Sequence, residues 1–347
     1  MSSPSNPSST RRWRGAWLIG LIVSVALLAW VLHRINLRQV WDNARHADPL
    51  LLLAAVTLAT ATFPLRTIRW RLILRDVDGH RFAWVPLWHA TAIGFMANNL
   101  LPARAGEVAR AYVATRQLPV RFTTSLASIG VERVFDGLMM LALMAFAIAA
   151  SSFPRQALVS GRSLSTVATS AAVLFGAVLV LALIVVHRPA PWLALLGRIT
   201  SRLLPANAAA RVTHWAEGIV AGLEVLKSPV RFAGVVVWSL ALWLTNAAAF
   251  AVCFRAFGIN VPAEAALLLQ GIIGFGVAVP STPGYIGVFE TATLLTLGVY
   301  GVDASLAASY ALTYHLTTFL PITVLGLWSL SRLHLGLGDL SAAPDTT

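Results

Sequence analysis

Residues Ile273–Glu290 read IGFGVAVPSTPGYIGVFE, with two prolines, four glycines and a closing carboxylate set among long apolar runs. Proline removes a backbone donor and glycine loosens the chain, so a helix entering this stretch must break. The outline occurs earlier as IGFMANNLLPARAGEV, Ile93–Val108. Both stretches begin with IGF, and both reach Pro-x-x-x-Gly, at Pro102/Gly106 and Pro283/Gly287. A carboxylate follows each, Glu107 and Glu290. Two matching breaks point to one structural device used twice.

Composition sets the solvent. The chain has 347 residues, 57% hydrophobic and 12% charged, with a mean hydropathy of +0.74. That pattern excludes a water-soluble globule and predicts an all-α polytopic membrane protein. The net charge of +12 is almost entirely arginine, since Lys227 is the lone lysine. These charges fall in short connections between apolar runs, which fits membrane topology and anionic lipid headgroups and gives no nucleic-acid surface. Cys253 is the single cysteine, and no His/Cys spacing suits a metal, so neither a disulfide nor a cofactor is expected. Residues 1–16 are expected to be a disordered cytoplasmic N-terminus, and the run Trp17–Leu32 behind Arg11, Arg12 and Arg14 an uncleaved first span.

A helix needs about 20 apolar residues to cross a bilayer core. Six full spans are expected near 17–33, 49–66, 122–150, 166–187, 231–254 and 304–331. The regions 85–118 and 263–301 hold the two breaks, as hairpins that either span or dip in and return. Pro and Gly are tolerated at that depth where protein or a water-filled cavity satisfies the freed backbone. With a cytoplasmic N-terminus and both hairpins returning to their starting face, cytoplasmic segments hold 18 basic residues and outer segments 6. That split obeys the positive-inside rule. Three crossings per half then make 17–150 and 166–331 an inverted-topology repeat within one transmembrane domain, 17–332, followed by a cytoplasmic tail, 333–347. Transporters place discontinuous helices of this kind at a substrate site.

Several polar residues stand where membrane helices rarely carry any. In FTTSLASIGVERVFDG, Ser125, Ser128, Glu132 and Asp136 share one helical stripe, and Arg133 reaches Asp136 at i,i+3. Such charges face a bundle interior or a polar pathway. The alternative is an interfacial extension of a 29-residue helix about 43 Å long. The first break supplies Asn98, Asn99, Arg104, Glu107 and Arg110, whose arginines suit a lipid phosphate or serve topology alone. At the second, Pro283, Gly284 and Gly287 allow close backbone approach, and Glu290 suits a proton or a cationic headgroup. Tyr314 and His315 hold the position in the last span equivalent to the Glu132 stripe. Arg66, Arg69, Arg71 and Arg75 are expected to form a snorkelling cytoplasmic collar.

The series LPARAGEVARA, ERVFDG and PSTPGYIGVFE, in that order, resembles the lysylphosphatidylglycerol synthase transmembrane-region family, also described as flippase-like membrane proteins. The resemblance runs from the first span to the last. It implies a multi-pass protein of the bacterial inner membrane, both termini cytoplasmic, that moves a polar lipid between leaflets. The matching positions are Pro102, Arg104, Gly106, Glu107 and Arg110; Glu132, Arg133 and Asp136; and Pro283, Gly284, Gly287 and Glu290. Full synthases of the family continue into a soluble aminoacyl-transfer domain. About 15 residues follow the last span here, so the stand-alone branch is expected.

The expected function is therefore lipid translocation, with membrane lipids of anionic or amphiphilic headgroup as partners and a homo-oligomer or envelope enzyme as a possible companion. The rivals are a membrane-embedded enzyme using Glu132 and Asp136 as acid and base, and a non-transporting scaffold. HExxH, DDxxD and Gly-x-Ser-x-Gly patterns are all missing.

Overall fold

The computed structural model describes residues 35–75, 79–101, 105–150, 188–205, 228–278 and 283–337, with scattered positions between them. The expected spans at 17–33 and 166–187, residues 1–16 and most of the tail lie largely outside the described residues.

Caps set the helix boundaries. Helix α1, Leu37–His46, starts at Asn36, whose side chain accepts from the N–H groups of Arg38 and Gln39. Helix α2, Pro49–Ile73, begins behind Asp48, with proline in its first turn. The next two helices are α3, Trp84–Leu100, and α4, Ala105–Gln117. Helix α5 runs Phe122–Ala149. A two-residue pair, β1 Leu158–Val159 and β2 Arg162–Ser163, follows. Helix α6 is Pro189–Leu203. Ser228 caps α7, Pro229–Ala256. Helix α8, Glu264–Ala278, leads to a 3-10 turn at Pro283–Tyr285 and then α9, Val288–Val299. Asp303 caps α10, Ala304–Arg332.

Helices α2, α7 and α10 are long and apolar enough to cross a bilayer. Helix α5 is 28 residues long but carries Glu132, Arg133 and Asp136 in mid-course. Outward-facing Leu50, Val230, Val237 and Leu244 expose apolar side chains, as a lipid-facing surface requires. The chain is a multi-pass integral membrane protein.

The two breaks fold as expected into helical hairpins. Their arms are short: 17 and 13 residues in α3 and α4, 15 and 12 in α8 and α9. At 1.5 Å per residue the longest arm reaches about 26 Å and the shortest about 18 Å, below the ~30 Å hydrocarbon core. The first hairpin closes through glycine: a Cβ on Gly106 would fall on the Gly94 carbonyl oxygen. Asn98 completes it by accepting from the Gly106 N–H at 3.0 Å. In the second, Gly284 and Gly287 take φ of 68° and 86°. Tyr285 adopts φ 61°, a costly conformation for a side-chain-bearing residue.

The packing pattern exchanges partners between halves. Helix α2 packs on α7 more extensively than any other pair. The two run antiparallel: the Asp48 N–H at the start of α2 donates to Ala256 O at the end of α7, while Gly234 near the start of α7 meets Leu72 near the end of α2. Helix α3 of the first hairpin packs on α10, and α8 of the second packs on α5. Small residues permit both crossings, Gly326 against Met96 and Ala92, and Gly271 and Gly274 against Met144 and Met140.

Candidate functional site

The centre is a buried network of arginines and carboxylates. The expected collar does not form at Arg66 and Arg69. Helix α2 continues to Ile73, seven residues past the expected end of its span, and turns both side chains inward. Arg69 is fully buried; it donates to Asp136 at 2.6 Å and to Ser239 at 3.1 Å, and reaches Glu132 at 3.4 Å. Arg110 donates to the other Glu132 oxygen at 2.5 Å and lies 3.8 Å over the Trp70 ring. The Trp70 indole in turn donates to Ser128 at 2.8 Å. Arg66 lies 5.0 Å from both the Phe95 and Trp243 rings, and 3.7 Å from Asp136. Arg71 and Arg75 stay at the helix end, Arg71 donating to Phe82 O at 2.6 Å and Arg75 bridging Arg81. Removing Arg66, Arg69 and Arg110 from the connecting segments leaves 15 basic residues against 6, still a clear bias.

Arg133 meets Asp136 at 3.2 Å, the expected i,i+3 pair, and Glu107 at 3.9 Å. Among the described residues, four guanidinium groups therefore face three carboxylates, an excess of one positive charge. Burying ions costs several kcal/mol each unless they are paired and hydrogen-bonded. Every one of these groups is ion-paired, yet Nε of Arg69 and Arg133, Nε and Nη2 of Arg110, Nε and Nη1 of Arg66 and Oδ2 of Asp136 make no hydrogen bond among the described residues.

The second break carries a different pair. His315 Nδ1 lies 2.6 Å from Glu290 Oε1, and Nε2 lies 2.7 Å from the Gly284 carbonyl. Glu290 Oε2 accepts from the Gly287 N–H at 2.6 Å. A carbonyl oxygen only accepts, so Nε2 carries a hydrogen. The ring thus ties the turn carbonyl to the carboxylate that holds the Gly287 N–H.

Both breaks open onto one cavity of about 520 Å³. Of the expected residues, Asn99, Arg133, Asp136, Gly284, Tyr314 and His315 line it. Asn99 donates to Thr323 at 2.9 Å, and a Cβ on Gly284 would sit 3.6 Å from the Asn99 carbonyl, so the two breaks touch. Arg110, Glu132 and Glu107 stand behind Arg133 and Asp136, while Asn98, Pro283, Gly287 and Glu290 shape the breaks. Glu290 is committed to Gly287 and His315. Arg104 and Pro102 lie outside the described residues.

The cavity also has Arg66, which the sequence reading gives to the collar, and three residues that it passes over, Trp243, Asn246 and Gln270. Trp243 donates to Asp136 at 3.0 Å, and Asn246 donates to the Gln270 carbonyl oxygen at 3.0 Å. Their signal is present, since Ser239, Trp243 and Asn246 recur at helical spacing in an apolar run.

Similar proteins are archaeal. Glycosyltransferase AglD of Haloferax volcanii is 28% identical over 92% of this chain, which spans 54% of that protein. A UPF0104 membrane protein of Methanothermobacter thermautotrophicus is 24% identical over 89% of this chain and 90% of its own length. A second UPF0104 membrane protein from the same organism is 24% identical, over 90% and 94% respectively. Residues 17–326 match the family described as lysylphosphatidylglycerol synthase TM region, and with the paired breaks and charged fifth helix in place, the chain belongs to that family.

Proposed function

We propose that the protein carries a lipid with an anionic headgroup between the leaflets of its membrane. The observation that carries this reading is the single cavity on which both helical breaks converge, with Arg66 and Arg133 in its wall and Arg66 donors unmet. Headgroup desolvation is the barrier to flipping, so a protein that solvates the head while the tails stay in lipid removes most of it. The exchange of partners, α3 with α10 and α8 with α5 about an antiparallel α2/α7 pair, supports an inverted repeat. An axis in the membrane plane relates antiparallel helices, and transporters of that design bind substrate between the halves. The arginine bias supports a cytoplasmic N-terminus in a cytoplasmic membrane.

Reconstitution tests the proposal. Purified protein in liposomes should accelerate exposure of an anionic lipid to a membrane-impermeant headgroup reagent. Arg66→Gln and Arg133→Gln should each slow it about tenfold, the worth of one charge-assisted hydrogen bond. Unaccelerated exchange across a panel of anionic lipids would refute it.

The printed name of the Haloferax relative favours a second reading, an enzyme acting on a lipid headgroup. Geometry weighs against Glu132 and Asp136 as its acid and base, because Arg69 and Arg110 hold both Glu132 oxygens and Arg69 and Trp243 hold Asp136 Oδ1. Lipid mass spectrometry of a deletion strain separates the readings. A mislocated lipid supports transport and a missing one supports catalysis.

A further inference from the structure

Two chemically different parts of the cavity wall carry donors without hydrogen bonds, and these indicate what it takes. Arg66 is 8% exposed, its Nε and Nη1 without hydrogen bonds and its Nη1 ion-paired to Asp136 at 3.7 Å, and Arg133 stands in the same wall. Gln270, 1% exposed, has its Oε1 occupied by Asn246, while its Nε2 donates to no group among the described residues. A buried donor without an acceptor costs on the order of 1–3 kcal/mol, more for a charged group, so both groups call for a ligand bearing acceptors.

The charge of the cavity's carboxylate is already met by arginines. Among the described residues lining the cavity, Asp136 is the one carboxylate. Its Oδ1 accepts from Arg69 and Trp243, and its Oδ2, without a hydrogen bond of its own, is ion-paired to Arg133 at 3.2 Å and Arg66 at 3.7 Å. An ammonium group has only donors and would have to displace a guanidinium to neutralise its charge there. It would also meet the excess positive charge of the arginine cluster. Two of the lining aromatic rings, Phe95 and Trp243, already hold the Arg66 guanidinium. A carboxamide, by contrast, both donates and accepts, as a hydroxyl does. Phe250 and Tyr314 add to the same wall the apolar lining that small-molecule sites use around a few placed polar groups.

We propose that the headgroup is a phosphate ester bearing an uncharged polyhydroxyl group, glycerol or sugar, with phosphate at Arg66 and Arg133 and hydroxyls at Asn246 and Gln270. The site therefore rejects a headgroup carrying a cationic aminoacyl group. This inference rests on the cavity being the lipid-carrying site proposed above.

Native mass spectrometry of the full-length protein supplies the test, with equimolar phosphatidylinositol, phosphatidylglycerol, phosphatidic acid, phosphatidylethanolamine and lysylphosphatidylglycerol competing for it. Phosphatidylinositol and phosphatidylglycerol should be retained about tenfold over the lysylated lipid, the effect of one or two hydrogen bonds gained or lost. Gln270→Leu and Asn246→Ala should each bring phosphatidylinositol down to the level of phosphatidic acid and leave phosphatidic acid unchanged. Arg66→Gln should weaken all three anionic lipids alike. Equal or better retention of the lysylated lipid by the wild-type protein overturns the assignment without calling on any variant, as does an unchanged inositol-to-acid ratio in both amide variants. The liposome assay distinguishes the two proposals. Flipping with a preference for the cationic lipid sinks this one alone, whereas polyol-lipid retention without flipping sinks translocation alone. Retention of no lipid sinks both.

Discussion

Glu132 shows how a single carboxylate can organise three helices. It is fully buried on α5 and binds Arg69 of α2 with one oxygen and Arg110 of α4 with the other. Glu132→Gln leaves two buried guanidinium groups short of a counter-charge, and should lower stability by about 3–5 kcal/mol. Glu107 is the internal control. Its side chain is 27% exposed and its arginine lies 3.9 Å away, so Glu107→Gln should cost less than about 1 kcal/mol. Thermal unfolding of both variants in detergent checks the pair of values, and similar losses would contradict the network. These residues also mark what sequence shows and what it hides. The Glu132 stripe and the Arg133–Asp136 pair are legible because helical periodicity alone places them. Arg66 and Arg69 read as a collar because they trail an apolar run, where snorkelling is the ordinary fate. The partners of Arg69 lie 63 and 67 residues away in Glu132 and Asp136, and such pairing is set by the packing of α2 on α5, which no local pattern encodes.

At the scale of elements, the hairpins are legible because proline and glycine interrupt a helix, and a chain tolerates that at membrane depth only where protein or water meets the freed backbone. How each hairpin is fastened is not. The first closes backbone to backbone, so Gly106→Ala should push α4 off Gly94 and release the Asn98 tie. We expect faster proteolysis between α3 and α4 and loss of the proposed lipid translocation, whereas Gly130→Ala, with open space around the new methyl group, should change neither. The second hairpin is fastened by His315, which lies 2.7 Å from the Gly284 carbonyl and 2.6 Å from Glu290, while Glu290 accepts from the Gly287 N–H. His315→Ala removes both ring contacts and leaves the break held by Glu290 alone. In a Cys253→Ala background and at one fixed pH, thiol labelling at Ile286→Cys should therefore quicken severalfold when His315 is replaced. Unchanged labelling would contradict this fastening.

For the whole molecule, the sequence carries the idea of a repeat in a few identities, and the structure adds the antiparallel α2/α7 pair and the crossed packing of the hairpins. The proposed topology puts the outer end of the first hairpin on one face of the membrane and that of the second on the other. Arg116→Cys and Ala263→Cys, both at exposed positions, should then react with an impermeant thiol reagent from opposite sides of sealed vesicles. Labelling of both from one side would remove the pseudo-symmetry.

The crossed packing has a consequence for vectoriality. On the proposed inverted repeat, a machine made from one plan laid down twice, the second copy upside down, would offer each leaflet nearly equivalent parts and contain no arrow of its own. Net flow then follows whichever lipid pool is fuller, unless the unmatched components bias it. Those are the fasteners: a charged guanidinium–carboxylate pair in one half, an imidazole held between a carboxylate and a carbonyl in the other. Unequal fastenings open with unequal ease, and that inequality is where a preferred sense of travel could be built in.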